Sequence, residues 1–169
     1  MTTTVDFRTV ASRFATGVAV ATSTAGGVPF ATTVNAFTTV SLDPTLLLVC
    51  LRTGSRLLGA IERSGVFAVT VLSGTQRDYA QRFASSRRPP GEAAFAGIAA
   101  EPSPVTGCPL LSDGVAYFDC RMHRTYPGGD HAVLIGEVAS YGLLKPEAPL
   151  VFVNQRYADL DLEPLSPAR

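Results

Sequence analysis

Three short stretches of this chain place groups capable of binding or chemistry where the backbone is free to assist them. The first is Arg52-Thr53-Gly54-Ser55-Arg56. It follows the apolar run Leu46 to Leu51, which reads as a strand, and precedes Leu57-Leu58-Gly59-Ala60-Ile61, which reads as a helix opening on Ser55. A helix start presents backbone N–H groups without partners and a partial positive charge, a combination that suits an anion. Gly54 lets a ligand approach the backbone, Ser55 adds a hydroxyl, and Arg52 and Arg56 add charge. An ordinary serine cap flanked by solvated arginines has the same sequence. The second stretch is Thr32-Thr33-Val34-Asn35-Ala36-Phe37-Thr38-Thr39. Asparagine is disfavoured inside a strand, so Asn35 marks either a simple kink or a bulge whose exposed backbone edge serves a planar ligand. The third is Gly128-Gly129-Asp130-His131 ahead of a β-rich run. Either Asp130 orients the imidazole of His131, or the two glycines make a hairpin turn beside a solvated histidine.

Much other chemistry is excluded. No G-x-G-x-x-G or G-x-x-x-x-G-K-[ST] phosphate loop occurs, and no H-E-x-x-H. His123 and His131 are the only histidines, which rules out a multi-histidine metal centre. No serine lies in a G-x-S-x-G elbow. Cys50, Cys108 and Cys120 are widely spaced and odd in number, so they read as reduced thiols rather than a disulfide frame or zinc site.

The elements that must position these stretches follow from the apolar pattern. Phe7, Val10, Ala11 and Phe14 form one face of a first helix with Asp6 as its cap. Strands are expected over 17–23, over 30–40 (one strand, or two with a kink near Asn35), over 46–51 with both faces buried, and over 66–72. Further strands are expected over 116–124, 131–141 and 150–153. Helices are expected from Ser55 to Arg63 and from Thr75 to Ala84. Residues 85–109, rich in proline, glycine and alanine, read as a long surface loop, and 161–169 as a tail. Helices do not alternate with strands as a doubly wound sheet requires, so an antiparallel barrel or sandwich fits better. No repeat or second boundary is visible, and the expectation is one domain over residues 1–169.

Composition adds a quantity to be explained. Only 17% of the 169 residues are charged and the mean hydropathy is +0.22, against roughly 25% charged in an ordinary soluble domain. The longest apolar run is far short of the about 20 residues of a membrane span. The first residues show no basic region followed by an apolar one, which together with the reduced thiols predicts a cytoplasmic protein. Fourteen basic residues balance fourteen acidic ones, so the field that draws proteins to nucleic acid is missing and nucleic acid is not expected as a partner. The surplus apolar surface is expected to lie against a second copy of the chain, a bound cofactor, or both.

Taken in order, these segments resemble the flavin reductase family, the small NAD(P)H:flavin oxidoreductases that supply two-component monooxygenases. The resemblance runs from about Phe7 to Leu160. It is carried by Phe14-Ala15-Thr16-Gly17-Val18, Thr33-Val34-Asn35-Ala36-Phe37, Val40-Ser41-Leu42-Asp43-Pro44 and the Gly54-Ser55 turn. Arg82-Phe83-Ala84, Gly129-Asp130-His131 and Pro149-Leu150-Val151-Phe152 complete it. It implies a mainly β fold, the FMN-binding split β-barrel (antiparallel, Greek-key) with short inserted helices, working as a homodimer with flavin near the interface. By position, Thr33, Val34, Asn35 and Ala36 would line the isoalloxazine, and Cys50, Leu51 and Arg52 would approach it from the next strand. Ser55, with Arg82 and Phe83, would hold the phosphate and ribityl end, with Arg56 adding local charge. His131, with Asp130 beside it, would stand on the nicotinamide side, and Tyr157 would help close the site. The family commonly has Ser after the Asn; Ala36 here removes a hydroxyl.

The implied reaction passes hydride from C4 of NADH or NADPH to N5 of FMN or FAD, and reduced flavin goes on to a partner monooxygenase. That chemistry belongs to the carriers and asks no nucleophile or metal of the protein. Two alternatives stay open at this level. One is a flavin protein of the same fold with another role, such as a tight flavoprotein, a sensor or a biosynthetic oxidase. The other is a non-catalytic dimeric interaction module.

Overall fold

The computed structural model describes residues 5–160. In chain order the elements are α1 (Phe7–Ala11), β1 (Thr16–Gly17), β2 (Ala19–Ala25), β3 (Val28–Val34), β4 (Phe37–Leu42), β5 (Thr45–Arg52) and α2 (Arg56–Ser64). Then come β6 (Val66–Val71), α3 (Arg77–Ala84), a 3-10 turn (Gly91–Phe95), β7 (Ala100–Pro102), β8 (Pro109–Leu111), β9 (Ala116–Gly128), β10 (His131–Leu143), β11 (Val151–Val153) and β12 (Arg156–Ala158).

Seven strands form one antiparallel sheet in the order β3-β2-β6-β9-β10-β5-β4. Its two edge strands, β3 and β4, are successive in the chain and separated only by Asn35 and Ala36. Three residue steps span at most about 11 Å, so the two edges must meet at that end. The sheet is therefore curled into a barrel, left open along the β3–β4 seam. The expected antiparallel barrel is found, and the kink near Asn35 is the place where one edge hands the chain to the other.

Two apolar layers follow from the alternation of side chains along each strand. On β2, Ala19 and Ala21 point into the barrel, while Val18 (just before the strand) and Val20 join an outer cluster with Leu72, Phe83 and Leu150. The interior holds Val34, Leu47, Val49, Leu51, Phe67 and Leu134, with α2 inserting Leu57, Leu58 and Ile61. Helix α2 starts where Ser55 accepts a hydrogen bond from the Leu58 N–H at 3.3 Å. It ends at Gly65, whose φ of +70° favours glycine.

Several expectations change. Residues 85–109 are not simply a surface loop: they contain the 3-10 turn and the β7–β8 hairpin, and Ala94, Phe95, Ile98 and Cys108 are buried. Phe95 lies 5.3 Å, centroid to centroid, from Phe83, so apolar anchors in the segment outweigh its loop-like composition. Strand β5 is not buried on both faces: Leu47, Val49 and Leu51 point inward, whereas Leu46, Leu48 and Cys50 are only half-buried on the outer side. Helix α1 ends at Ala11 without a side-chain cap from Asp6, and none of its residues is buried. Helix α3 starts at Arg77 rather than Thr75, because the Gln76 side chain folds back to accept the Ser73 N–H. Strands β9 and β10 run further than expected, and β12 adds an unforeseen strand.

Candidate active site

The outer face of the barrel at the C-terminal end of β5 brings together Cys50, Arg52, Asp130 and His131. Register pairs Arg52 with His131 and Cys50 with Val133 across β5 and β10. The Thr53 N–H donates to the Asp130 carbonyl at 2.9 Å, tying the turn before α2 to the turn before β10. Gly129, at φ +74°, makes that second turn possible. Asp130 Oδ1 lies 2.8 Å from His131 Nδ1, leaving Nε2 without a protein partner among the described residues. The hydrogen bond from His131, reinforced by the charge of its imidazole when protonated, holds the exposed Asp130 carboxyl below the usual carboxylate range. Burial pushes the Cys50 thiol up, which disfavours its thiolate form.

Beside this strand end lies the seam. Asn35 and Ala36 are exposed, and the Ala36 carbonyl accepts the Cys50 N–H at 2.9 Å. Among the described residues neither the Asn35 nor the Ala36 N–H has a protein acceptor. A groove of about 630 Å³ runs past them, bounded by Phe14, Thr16, Gly17 and Leu48. Thr16 Oγ1 in its wall is buried and has no hydrogen-bond partner among the described residues. Free N–H donors, an orphaned hydroxyl and an apolar wall fit a flat ring with a polar edge.

The remaining candidates divide. Val34 and Leu51 turn their side chains into the barrel core, so they meet the outer face only through backbone. The Thr33 hydroxyl donates to the Ala80 carbonyl at 2.7 Å and is committed to holding α3. Ser55 caps α2, Gly54 before it sits at φ +74° with open space where a side chain would stand, and Arg56 is exposed beside it. Arg82 donates to the carbonyls of Ala96, at 2.8 Å, and Ala93, pinning the 3-10 turn. Phe83 is fully buried. Tyr157 packs edge-on against Phe152 at 5.4 Å, and Phe152 pairs with Thr16. This places Tyr157 on the small sheet behind the groove.

Sequence reasoning missed two residues. Thr16 is one. The other is Arg88, half-buried, whose own carbonyl accepts from Arg56 Nη2 at 3.4 Å and whose Nη1 donates to Ser85. Burial and the neighbouring Arg56 charge lower its pKa, and neither arginine has an acidic partner among the described residues. Two adjacent cations without a counter-ion leave room for an anion. The doubled arginine before Pro89-Pro90 was the available signal.

A family model, the flavin reductase like domain, matches residues 11–161. The chain belongs to the flavin reductase family. Among its relatives is a reductase subunit of a flavin-dependent monooxygenase from Rhodococcus jostii, 40% identical over 96% of this chain and 80% of that protein. An NADH-dependent FMN reductase of Streptomyces nodosus subsp. asukaensis is 43% identical over 79% of this chain and 71% of its own. Among solved structures, the NADH:FAD oxidoreductase of Streptomyces globisporus in complex with NAD and FAD fragments superposes with a TM-score of 0.84. It is 32% identical, with 90% of each chain covered. Hydride transfer between carriers asks no nucleophile or metal of a flavin reductase family member. Among the described residues no group of three or more His, Cys, Asp or Glu side chains is placed to hold a metal. No described helix is long and apolar enough to cross a membrane.

Proposed function

We propose that this protein is an NAD(P)H-dependent flavin reductase that supplies reduced flavin to a partner monooxygenase. The observation carrying the reading is the juxtaposition on one face of the free N–H groups at Asn35 and Ala36 with the Arg52–His131 pair. When both carriers are bound, the nicotinamide C4 delivers hydride to the flavin N5. The protein's part is placement and electrostatics. The Asn35 and Ala36 N–H groups sit where charge grows on the pyrimidine edge of the ring, and fixed donors aimed at growing charge lower a barrier. His131, held by Asp130, positions the nicotinamide. Arg56, at the helix start beside the exposed Gly54 backbone, takes phosphate charge. NADH is the favoured donor, since the Streptomyces nodosus and Streptomyces globisporus relatives are named for it, and both FMN and FAD are candidate acceptors because one of these is named for each.

The reading includes a homodimer. Phe7, Phe14, Leu42 and Leu143 are 80%, 78%, 91% and 89% exposed in the single chain, and the outer side of β5 is only half covered. A second copy over this surface would bury it and wall the flavin groove from water. The deciding experiment is loss of absorbance at 340 nm in air with each of NADH and NADPH against each of FMN and FAD. Flavin-dependent oxidation in at least one combination is expected, and none in all four would defeat the reading.

A further inference from the structure

A second groove, of about 520 Å³, lies between two hairpins. Thr24 and Pro29, paired across β2 and β3, stand on one side of it, and Pro102 and Pro109, paired across β7 and β8, on the other. The buried Phe95 and Ile98 give it an apolar floor. It shares no lining residue with the seam groove. Pro29 is six residue steps from Asn35 along β3, about 20 Å of extended chain, so a small occupant here leaves the seam open.

The wall formed by β7 and β8 is held before any ligand arrives. The Thr22 hydroxyl donates to the Pro109 carbonyl at 2.6 Å. The fully buried Asp119 carboxylate accepts the N–H groups of Val105, at 2.9 Å, and Thr106, at 3.1 Å, in the turn between β7 and β8. A wall fixed in advance spares an occupant the cost of ordering it. The same wall has an open backbone edge, since β7 pairs only with β8 among the described residues. The Ser112 N–H donates to the Ala99 carbonyl and the Ser103 N–H to the Cys108 carbonyl. Leu111, opposite Ala100, sends its N–H to Thr70 Oγ1 instead. Alternation therefore turns the Ala100 N–H and carbonyl away from β8, on the strand that lines the groove. Pro102, next along that edge, has no N–H, so the edge offers one residue for pairing and does not invite a further sheet.

The charge around the groove has one sign. Glu92 and Glu101 line it, both exposed and without an ion pair among the described residues, and no Lys or Arg lines it. Arg82 reaches the Ala96 carbonyl but is not part of the lining. Val28 and Val105, 43% and 44% exposed, stand on the turns of the two hairpins and add apolar surface. An apolar floor, one open backbone residue and two unpaired carboxylates suit an extended peptide with an apolar centre and basic ends. A second copy of this chain fits poorly, because a two-fold contact would set the same carboxylates against each other. We propose that this groove docks a partner protein through an extended apolar segment flanked by Lys or Arg.

The test is fluorescence anisotropy of labelled, capped heptapeptides titrated with the full chain. The set has Val, Leu and Ile centres with Lys or Arg at both ends, and the controls carry Glu at both ends. Basic-ended peptides are expected to bind, more weakly at high salt than at low salt, and Glu-ended ones are not. Glu92→Gln combined with Glu101→Gln is expected to weaken binding roughly 2- to 25-fold, the range of two exposed ion pairs. Ala100→Pro removes an N–H that the fold does not use and is expected to weaken it about 2- to 12-fold, the range of one hydrogen bond. Each variant is checked for an unchanged melting temperature, and NADH oxidation is expected to stay at the wild-type rate, because none of these residues lines the seam groove. If Ala100→Pro is unstable, the exposed glutamates carry the test alone. No binding of basic-ended peptides, equal binding of Glu-ended ones, or binding unchanged in the glutamate variant overturns the proposal. Unchanged binding in a stable Ala100→Pro removes the strand pairing and overturns the extended mode of docking. A change of mass by light scattering in the glutamate variant would make the groove an interface between copies, which also overturns it. Peptide binding without any NAD(P)H oxidation leaves the groove standing and defeats the reductase reading instead.

Discussion

Replacing His131 by Ala isolates the nicotinamide side of the site. The imidazole is held at Nδ1 by Asp130 at 2.8 Å, and its backbone is locked opposite Arg52 in the β5–β10 ladder. The side chain is half-exposed and touches no core cluster, so removing it changes stability by no more than about 0.5 kcal/mol. What is lost is one positioned contact, worth about 1–1.5 kcal/mol, which predicts roughly a 5- to 12-fold rise in KM for NADH. Flavin affinity, read by quenching of FMN fluorescence, stays at the wild-type value, because Asn35 and Ala36 lie on another strand connection. Asp130→Ala leaves the ring in place but frees it to rotate. Fixing one rotamer costs about 0.5–1 kcal/mol, so KM for NADH rises only about 2- to 5-fold. The pH behaviour follows from the sign of the Asp130 shift. A carboxylate depressed in the folded protein contributes stability above its unfolded pKa of about 3.9, and loses it as pH falls through the lower folded value. Asp130 therefore stays charged throughout an assay from pH 5 to 8 and adds no acid limb there. Steady-state titration of NADH at saturating FMN measures the effect. An unchanged KM in His131→Ala, or an equal loss of flavin affinity, would refute the reasoning.

Two other perturbations test the fold and the assembly. In Gly136→Ala the new Cβ would stand 2.8 Å from Phe67 Cε1, closer still to Cζ, and 3.2 Å from the Cβ of Cys120, inside the barrel. Overpacking of this kind costs about 1–3 kcal/mol, or a fall in melting temperature of roughly 2–12 °C by calorimetry; a shift under 1 °C would mean the interior is looser than described. Wild type at micromolar concentration should show twice 17.8 kDa by light scattering. Leu42→Asp with Leu143→Asp should run as a monomer, since burying each leucine contributes about 1.5–3 kcal/mol. A wild-type monomer, or a variant of unchanged mass, would remove the second copy from the account.

Local features of the site were legible because they depend on neighbours in sequence. The cap at Ser55, the exposed break at Asn35 and the Asp130–His131 pair each need only a turn and an adjacent strand or helix. The side-chain assignments on α3 were not legible in the same way. Arg82 is bound to carbonyls of the 3-10 turn, and Phe83 is sealed against Phe95, both contacts across a connection whose composition reads as loop. Arg88, which reaches the Arg56 end of α2, carried no periodic signal at all.

By itself the sequence determined the antiparallel β class, the family, the order of most elements and the absence of the common nucleophile and metal motifs. These rest on residue type, alternation and short motifs. The tertiary structure alone decided that β3 and β4 meet at a seam, that Arg52 lies opposite His131, and that Leu46, Leu48 and Cys50 face outward while Leu47, Val49 and Leu51 face in. Alternation says that two faces exist but not which one the barrel encloses. That choice is made by strand pairing between residues far apart in the chain, with α2 filling the inside, and it leaves the outer side of β5 only half covered.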